Sequence, residues 1–192
     1  MLWYRNGEVQ RARGQLLHFQ ADQLCQGRAI DEPWSPELSQ VRAVLLEALE
    51  LLGLRPFRSE ASLYHAGLRV TGQADLLLSD GASISVLDWK RVRALELESR
   101  FRCLRPPLEH LPDTDYWTHA LQVNLYSCML SSEYGLSMGP CYLGMVHPER
   151  SRGRCLTVPD LQAEVATIVK RARAAGRAGD ACRGEQGRPW AH

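Results

Sequence analysis

Apolar residues recur along the chain with two different periods, and the changes of period divide it into elements. Between residues 11 and 26, Leu16, Leu17 and Leu24 stand on a polar background, which predicts a first helix stopped at Gly27. From Glu37 to Leu52 the apolar positions are Leu38, Val41, Val44, Leu45, Ala48, Leu49 and Leu52. That three-to-four spacing predicts a second helix, with Ser35 as its cap and Gly53 as its end. After Pro56 the period shortens. Phe57 to Tyr64 alternates, Leu68 to Ser79 reads as a longer strand, and Ile84 to Lys90 returns after the turn signal Asp80-Gly81. Leu76, Leu77 and Leu78 in one block predict burial on both faces, as in the middle of a sheet.

Residues 92–115, with Pro106, Pro107 and Pro112, read as an irregular excursion. A helix is predicted from Tyr116 to Tyr134 with Gly135 ending it, and its aromatics Tyr116, Trp117 and Tyr134 are expected in the core. A strand follows from Cys141 to His147, halted by Pro148. The last helix is expected over Val158 to Ala175, with Ala163, Val165, Ile168 and Val169 inward. From Gly176 the chain is rich in Gly and Arg and is expected to be a mobile tail. The order helix, helix, three strands, helix, strand, helix implies an α/β fold, a mixed central β-sheet flanked by helices.

Composition narrows the class without identifying it. A length of 192 residues suits one domain, taken as 1–175 with the tail 176–192, and 45% hydrophobic with 23% charged residues supports a buried core. No run approaches the ~20 apolar residues of a membrane span, and no basic-then-apolar leader opens the chain. Cys25, Cys103, Cys128, Cys141, Cys155 and Cys182 form no C-x-x-C pair. Free thiols in a reducing, intracellular compartment are therefore expected, with neither zinc-ligand spacing nor a tight cysteine group for an iron–sulfur cluster. The formal net charge of +1 gives no global electrostatic argument for a nucleic-acid partner. Arginine dominates the cations, however, and Lys90 and Lys170 are the only lysines, which makes a lysine two residues after an aspartate conspicuous.

That lysine belongs to the informative stretch: Glu60, then Gly72-Gln-Ala-Asp75, then Asp88-Trp-Lys90. On a strand, Asp88 and Lys90 share a face and Trp89 takes the other, packing under a helix. A two-residue loop at Asp80-Gly81 makes Asp75 and Asp88 diagonal neighbours, roughly 7 Å or less apart; one at Gly81-Ala82 sets them directly opposite. A three-residue loop would part them onto opposite faces. Two carboxylates held together in a sheet raise one another's pKa unless a cation joins them, and a hard divalent ion such as Mg²⁺ or Mn²⁺ meets that need. Lys90 beside such an ion suits phosphoryl chemistry, orienting a water and neutralising developing charge. A structural salt-bridge cluster is the competing account of a short D-x-K pattern.

At these residues the sequence resembles the PD-(D/E)XK nucleases, in particular the RecB-like branch that includes mitochondrial genome-maintenance exonucleases and related proteins of large DNA viruses. Glu60 stands a strand ahead of Asp75, and Gly72-Gln-Ala-Asp75 is similar to the family's G-x-x-D. Gln122-Val-Asn-Leu-Tyr126 matches its Q-x-x-x-Y helix, and Gly14-Gln-Leu-Leu-His18 with Asp22 is similar to its early histidine segment. The resemblance spans most of residues 14–175 and implies a restriction-endonuclease-like core and a Mg²⁺- or Mn²⁺-dependent nuclease, most readily a DNA exonuclease. It implies His18, Glu60, Asp75, Asp88 and the Trp89 backbone carbonyl as metal ligands. Lys90 would be the water-activating cation, and Gln122, Tyr126 and Arg91 would contact the nucleic acid. A non-cleaving nucleic-acid-binding module on the same fold and an RNA-directed endonuclease are the alternatives. His147 is expected to be structural.

Overall fold

The computed structural model describes residues 2–28, 36–99 and 102–185. Their order is α1 (Leu2–Cys25), α2 (Pro36–Leu51), β1 (Arg55–His65), a 3₁₀ turn (Ala66–Leu68), β2 (Val70–Ser79), β3 (Ile84–Arg91), α3 (Asp115–Tyr134), β4 (Cys141–Val146), β5 (Arg154–Val158) and α4 (Gln162–Glu185). The strands form one sheet in the order β1-β2-β3-β4-β5, antiparallel except for the parallel pair β3–β4. The helix α3 makes the crossover that a parallel pair requires. The expected α/β architecture with a mixed sheet is the one observed.

Two hydrophobic layers hold helices to the sheet. On one face Leu17 and Ala21 of α1 and Val41, Val44 and Leu45 of α2 pack on Leu76, Leu78, Leu87 and Trp89. On the other, Tyr116, Ala120, Val123, Tyr126 and Met129 of α3 pack on Ala61, Leu63, Ala74, Leu77, Ile84 and Val86. The block Leu76-Leu77-Leu78 therefore serves both layers, as its pattern predicts. Trp89 is almost fully buried, and its ring lies over the backbone of Gly144 on β4, where a Cβ would stand 2.4 Å from Trp89 Cε3.

Several boundaries differ from those expected. The first helix begins at Leu2 rather than near residue 11. Arg154–Val158 is a fifth strand paired with β4, so Val158 ends a strand and the last helix starts only at Gln162. That helix turns Val165 and Val169 inward with Leu161 ahead of it, leaves Ala163 exposed, and runs to Glu185, through part of the stretch read as a tail. Tyr134 is 48% exposed instead of in the core, its hydroxyl accepting the Tyr64 N–H. Gln40 of α2 accepts the His147 N–H and donates to its carbonyl, so His147 is fixed through its backbone. The cap expected at Ser35 lies outside the described residues. No described helix is long and apolar enough to cross a membrane, and the described cysteines other than the α4 residue Cys182 are free.

Candidate active site

The β2–β3 connection is the four residues Asp80 to Ser83, since Ser79 pairs with Ile84 and Leu76 with Leu87. This is the register of the Gly81-Ala82 alternative, and continued by one residue it brings Asp75 opposite Asp88. The Asp80 carboxylate holds the turn by accepting the Ala82 and Ser83 N–H groups, while Gly81 supplies the positive φ of 93°.

At Asp75 the regular ladder stops. Instead of a β2 carbonyl, the Asp75 carboxylate accepts the Trp89 N–H at 2.7 Å. Alternation breaks here too: Ala74 faces α3, whereas Leu76, two residues on, faces α1 and α2. On the neighbouring strand Glu60 has φ 47°, the left-handed region that non-glycine residues rarely adopt. Backbone departures of this kind concentrate where side chains must be aimed. β2 and β3 thus part beyond the Leu76–Leu87 pair, while β1 stays paired with β2 on either side of Glu60.

From α1, His18 reaches these strands and places Nδ1 3.1 Å from Asp75 Oδ1. One donor atom each from His18, Glu60 and Asp75 lie within 4.8 Å of one another. The hydrogen bond to Asp75 raises the His18 pKa, opposed by burial, and burial first and Asp75 second raise that of Glu60. Asp88 is nearly buried and its carboxyl is pushed up to about 6, by burial first and the Asp75 charge second, against the lowering influence of Lys90. Asp88 Oδ2 lies 2.6 Å from Lys90 Nζ, yet no hydrogen bond of good geometry satisfies it among the described residues.

Behind Lys90 stands α3. Lys90 Nζ donates to Gln122 Oε1 at 3.3 Å, and Gln122 Nε2 donates to the Tyr126 hydroxyl at 3.0 Å. The Tyr126 ring lies against Gly72, where a Cβ would stand 2.5 Å from its Cε1. The two sequence segments G-x-x-D and Q-x-x-x-Y thus fit together through a glycine that leaves room for a ring. Asp22 accepts hydrogen bonds from Ser59 and Gln26 and lines the cleft.

Of the residues singled out from sequence, the structure brings His18, Glu60, Asp75, Asp88, Lys90, Gln122 and Tyr126 together. The Trp89 N–H faces Asp75, and a strand residue directs its N–H and C=O to the same side, so the Trp89 carbonyl also faces this region. Arg91 is not part of the group. Its guanidinium is buried between α1 and α2, 2.9 Å from Glu37 Oε1 and donating to Gln10 Oε1 at 2.6 Å. The whole opens into a cleft of about 950 Å³ whose walls include Arg11, Gln15, Phe19 and His119, residues that sequence reasoning did not select. His119 was accessible to it, lying three residues before Gln122 on one helical face.

A buried carboxyl beside an ammonium, two repelling carboxylates and a nearby imidazole form a donor set of the kind that hard divalent cations occupy. Fold and site together define an α/β protein with an acidic cleft where two strands of a mixed five-stranded sheet part. No family model matches the chain, and no curated protein matches it in sequence. Among solved structures it is similar to the "Putative exonuclease" of Eubacterium rectale, with a TM-score of 0.50 and 12% identity over 84% of this chain and 67% of that one. At such identity the likeness is one of fold. A second similarity, to SSO0001, has a TM-score of 0.32 at 14% identity over 83% of this chain and 84% of that one.

Proposed function

We propose that this protein is a divalent-metal-dependent nuclease of the PD-(D/E)XK superfamily, in its RecB-like branch, that hydrolyses phosphodiester bonds of DNA as an exonuclease. One observation carries the reading: donor atoms of His18, Glu60 and Asp75 converge within 4.8 Å beside the Asp88–Lys90 pair, at the wall of an open cleft. His18, Glu60, Asp75, Asp88 and the Trp89 carbonyl would hold Mg²⁺ or Mn²⁺. The ion would supply Lewis-acid chemistry at a phosphoryl oxygen and make water a stronger acid.

The remaining work falls to the chain's own groups. Lys90 orients the attacking water and meets the charge that develops at phosphorus. Gln122 keeps the Lys90 ammonium aimed by accepting one of its protons, and Tyr126 fixes the Gln122 amide by accepting from it. With Gln122 taking one ammonium proton and Asp88 Oδ2 2.6 Å from the same nitrogen, one proton remains for water or phosphate. Phosphate approaches the sheet from the cleft side, since Arg91 is occupied by Glu37 and Gln10.

The test is incubation with end-labelled single- and double-stranded DNA in Mn²⁺ and in Mg²⁺, with RNA as comparison. Release of mononucleotides from DNA ends, stopped by a chelator and absent in Lys90→Ala, is expected. Intact DNA and RNA in both metals would remove the reading.

A further inference from the structure

We infer that His119 is a substrate-binding residue of this cleft, whose imidazole donates a ring N–H to a non-bridging phosphodiester oxygen beside the bond that Lys90 serves. The inference rests on the nuclease reading and adds to it a contact outside the acidic cluster and outside the Gln122–Tyr126 pair.

The geometry begins on α3. Residues 119, 122 and 126 are spaced three and four apart and share one face of the helix. Two of them spend hydrogen-bonding capacity on one another and on Lys90: Gln122 donates to Tyr126 and accepts from the ammonium. His119 does not. Among the described residues its ring makes no side-chain hydrogen bond or ion pair, although it is half-buried and lines the same cleft as Lys90, Asp75 and Glu60.

Charge divides that cleft. Glu60, Asp75 and His18 gather on the side that α1 covers, and a phosphodiester placed directly on those carboxylates would be repelled. The Lys90 ammonium, paired with Asp88 but turned also to Gln122 of α3, and the His119 ring lie on the other side, where an anion meets donors. The groups acting on the His119 ring are Lys90 from β3 and Asp115 from its own helix. Burial and then the Lys90 charge push its pKa down to about 4, with Asp115 opposing. The ring is then neutral at neutral pH, with one N–H to donate and one lone pair. A phosphodiester oxygen only accepts, which selects the N–H as the contact. Beside the ammonium, such a donor fixes a phosphate without adding a second cation.

Binding and cleavage are measured separately. A fluorescein-labelled DNA oligonucleotide is titrated in Ca²⁺ with wild type, His119→Ala and His119→Gln, and the same proteins are assayed for cleavage in Mn²⁺. Loss of one hydrogen bond to a charged phosphate corresponds to roughly tenfold in affinity. His119→Ala is expected to bind about tenfold more weakly and to raise KM similarly, with kcat within about threefold. His119→Gln keeps a neutral N–H donor and should recover most of the affinity. Wild-type binding and kinetics in His119→Ala would overturn the inference. So would equal impairment of both variants with a lowered unfolding midpoint, the mark of a packing role. Wild type that binds the oligonucleotide without cutting it would remove the nuclease reading while the binding arm still decides His119. Wild type that binds no oligonucleotide would overturn both.

Discussion

At Asp88, burial and the Asp75 charge lift the carboxyl from an ordinary 3.8 to about 6, so the folded chain holds a proton there that the unfolded chain has already released. Considered alone and without metal, this group favours the fold most at acid pH, and that contribution is lost as pH rises through about 6. A metal requires the opposite, the ionised carboxylate. His18 acts in the same direction, since its raised pKa means that a proton competes for its ring. Mn²⁺ affinity should therefore fall as pH drops below about 6, with up to two protons displaced per ion. Calorimetric titration at several pH values should show this, and Asp88→Asn should lower the dependence by about one proton. An affinity that stays level from pH 7.5 to 5.5 would contradict the assignment. Asp88 and Lys90 were legible in the sequence because strand parity gives them one face; for Asp75 only its place opposite Asp88 was legible, from the even loop, since alternation breaks there. Arg91 was not, because the residue that engages it, Glu37, lies 54 positions away and only the folded chain joins them.

The elements meet most closely at two glycines, which give separable predictions. A Cβ on Gly144 would stand 2.4 Å from the buried Trp89 ring. Gly144→Ala should force β3 and β4 apart or tilt the indole, costing about 1–3 kcal/mol, read as a lower urea midpoint. On Gly72 the Cβ would meet Tyr126 at 2.5 Å, at the edge of the core and next to Gln122. Gly72→Ala should displace the tyrosine and release the Gln122–Lys90 contact, so that kcat falls more than stability does. Equal kcat in a well-folded Gly72→Ala protein would show that the α3 network does not serve Lys90. At this scale the sequence revealed α2, α3 and the hairpin, whose periods are strong and local. It did not reveal β5, whose five residues join β4 only through pairing, nor the first turns of α1, which carry no apolar repeat.

For the molecule as a whole, a net charge of +1 gives no overall electrostatic attraction to nucleic acid. Among the described residues that line the cleft the cations are Arg11 and Lys90, apart from any charge on His18. Each phosphate neutralised contributes a slope near −0.9 for duplex or −0.7 for single strands, so log affinity against log salt should fall with a slope of only about −2. Anisotropy titrations between low and physiological salt would measure it. A slope near −6 would mean that arginines beyond the cleft bind the strand. His18→Ala should leave that slope unchanged while weakening Mn²⁺ binding, because its ring faces Asp75.

The carboxylate of Asp75 also completes the sheet, standing in for a backbone acceptor of the Trp89 N–H. Alanine there would strand a buried donor at about 1–3 kcal/mol, whereas asparagine keeps an acceptor oxygen. Descent cannot therefore erase Asp75 as freely as a residue that served a metal alone. A lineage that abandoned cleavage would keep an oxygen at position 75 long after its chemistry had gone. Among distant descendants, that residue would record ancestry better than activity.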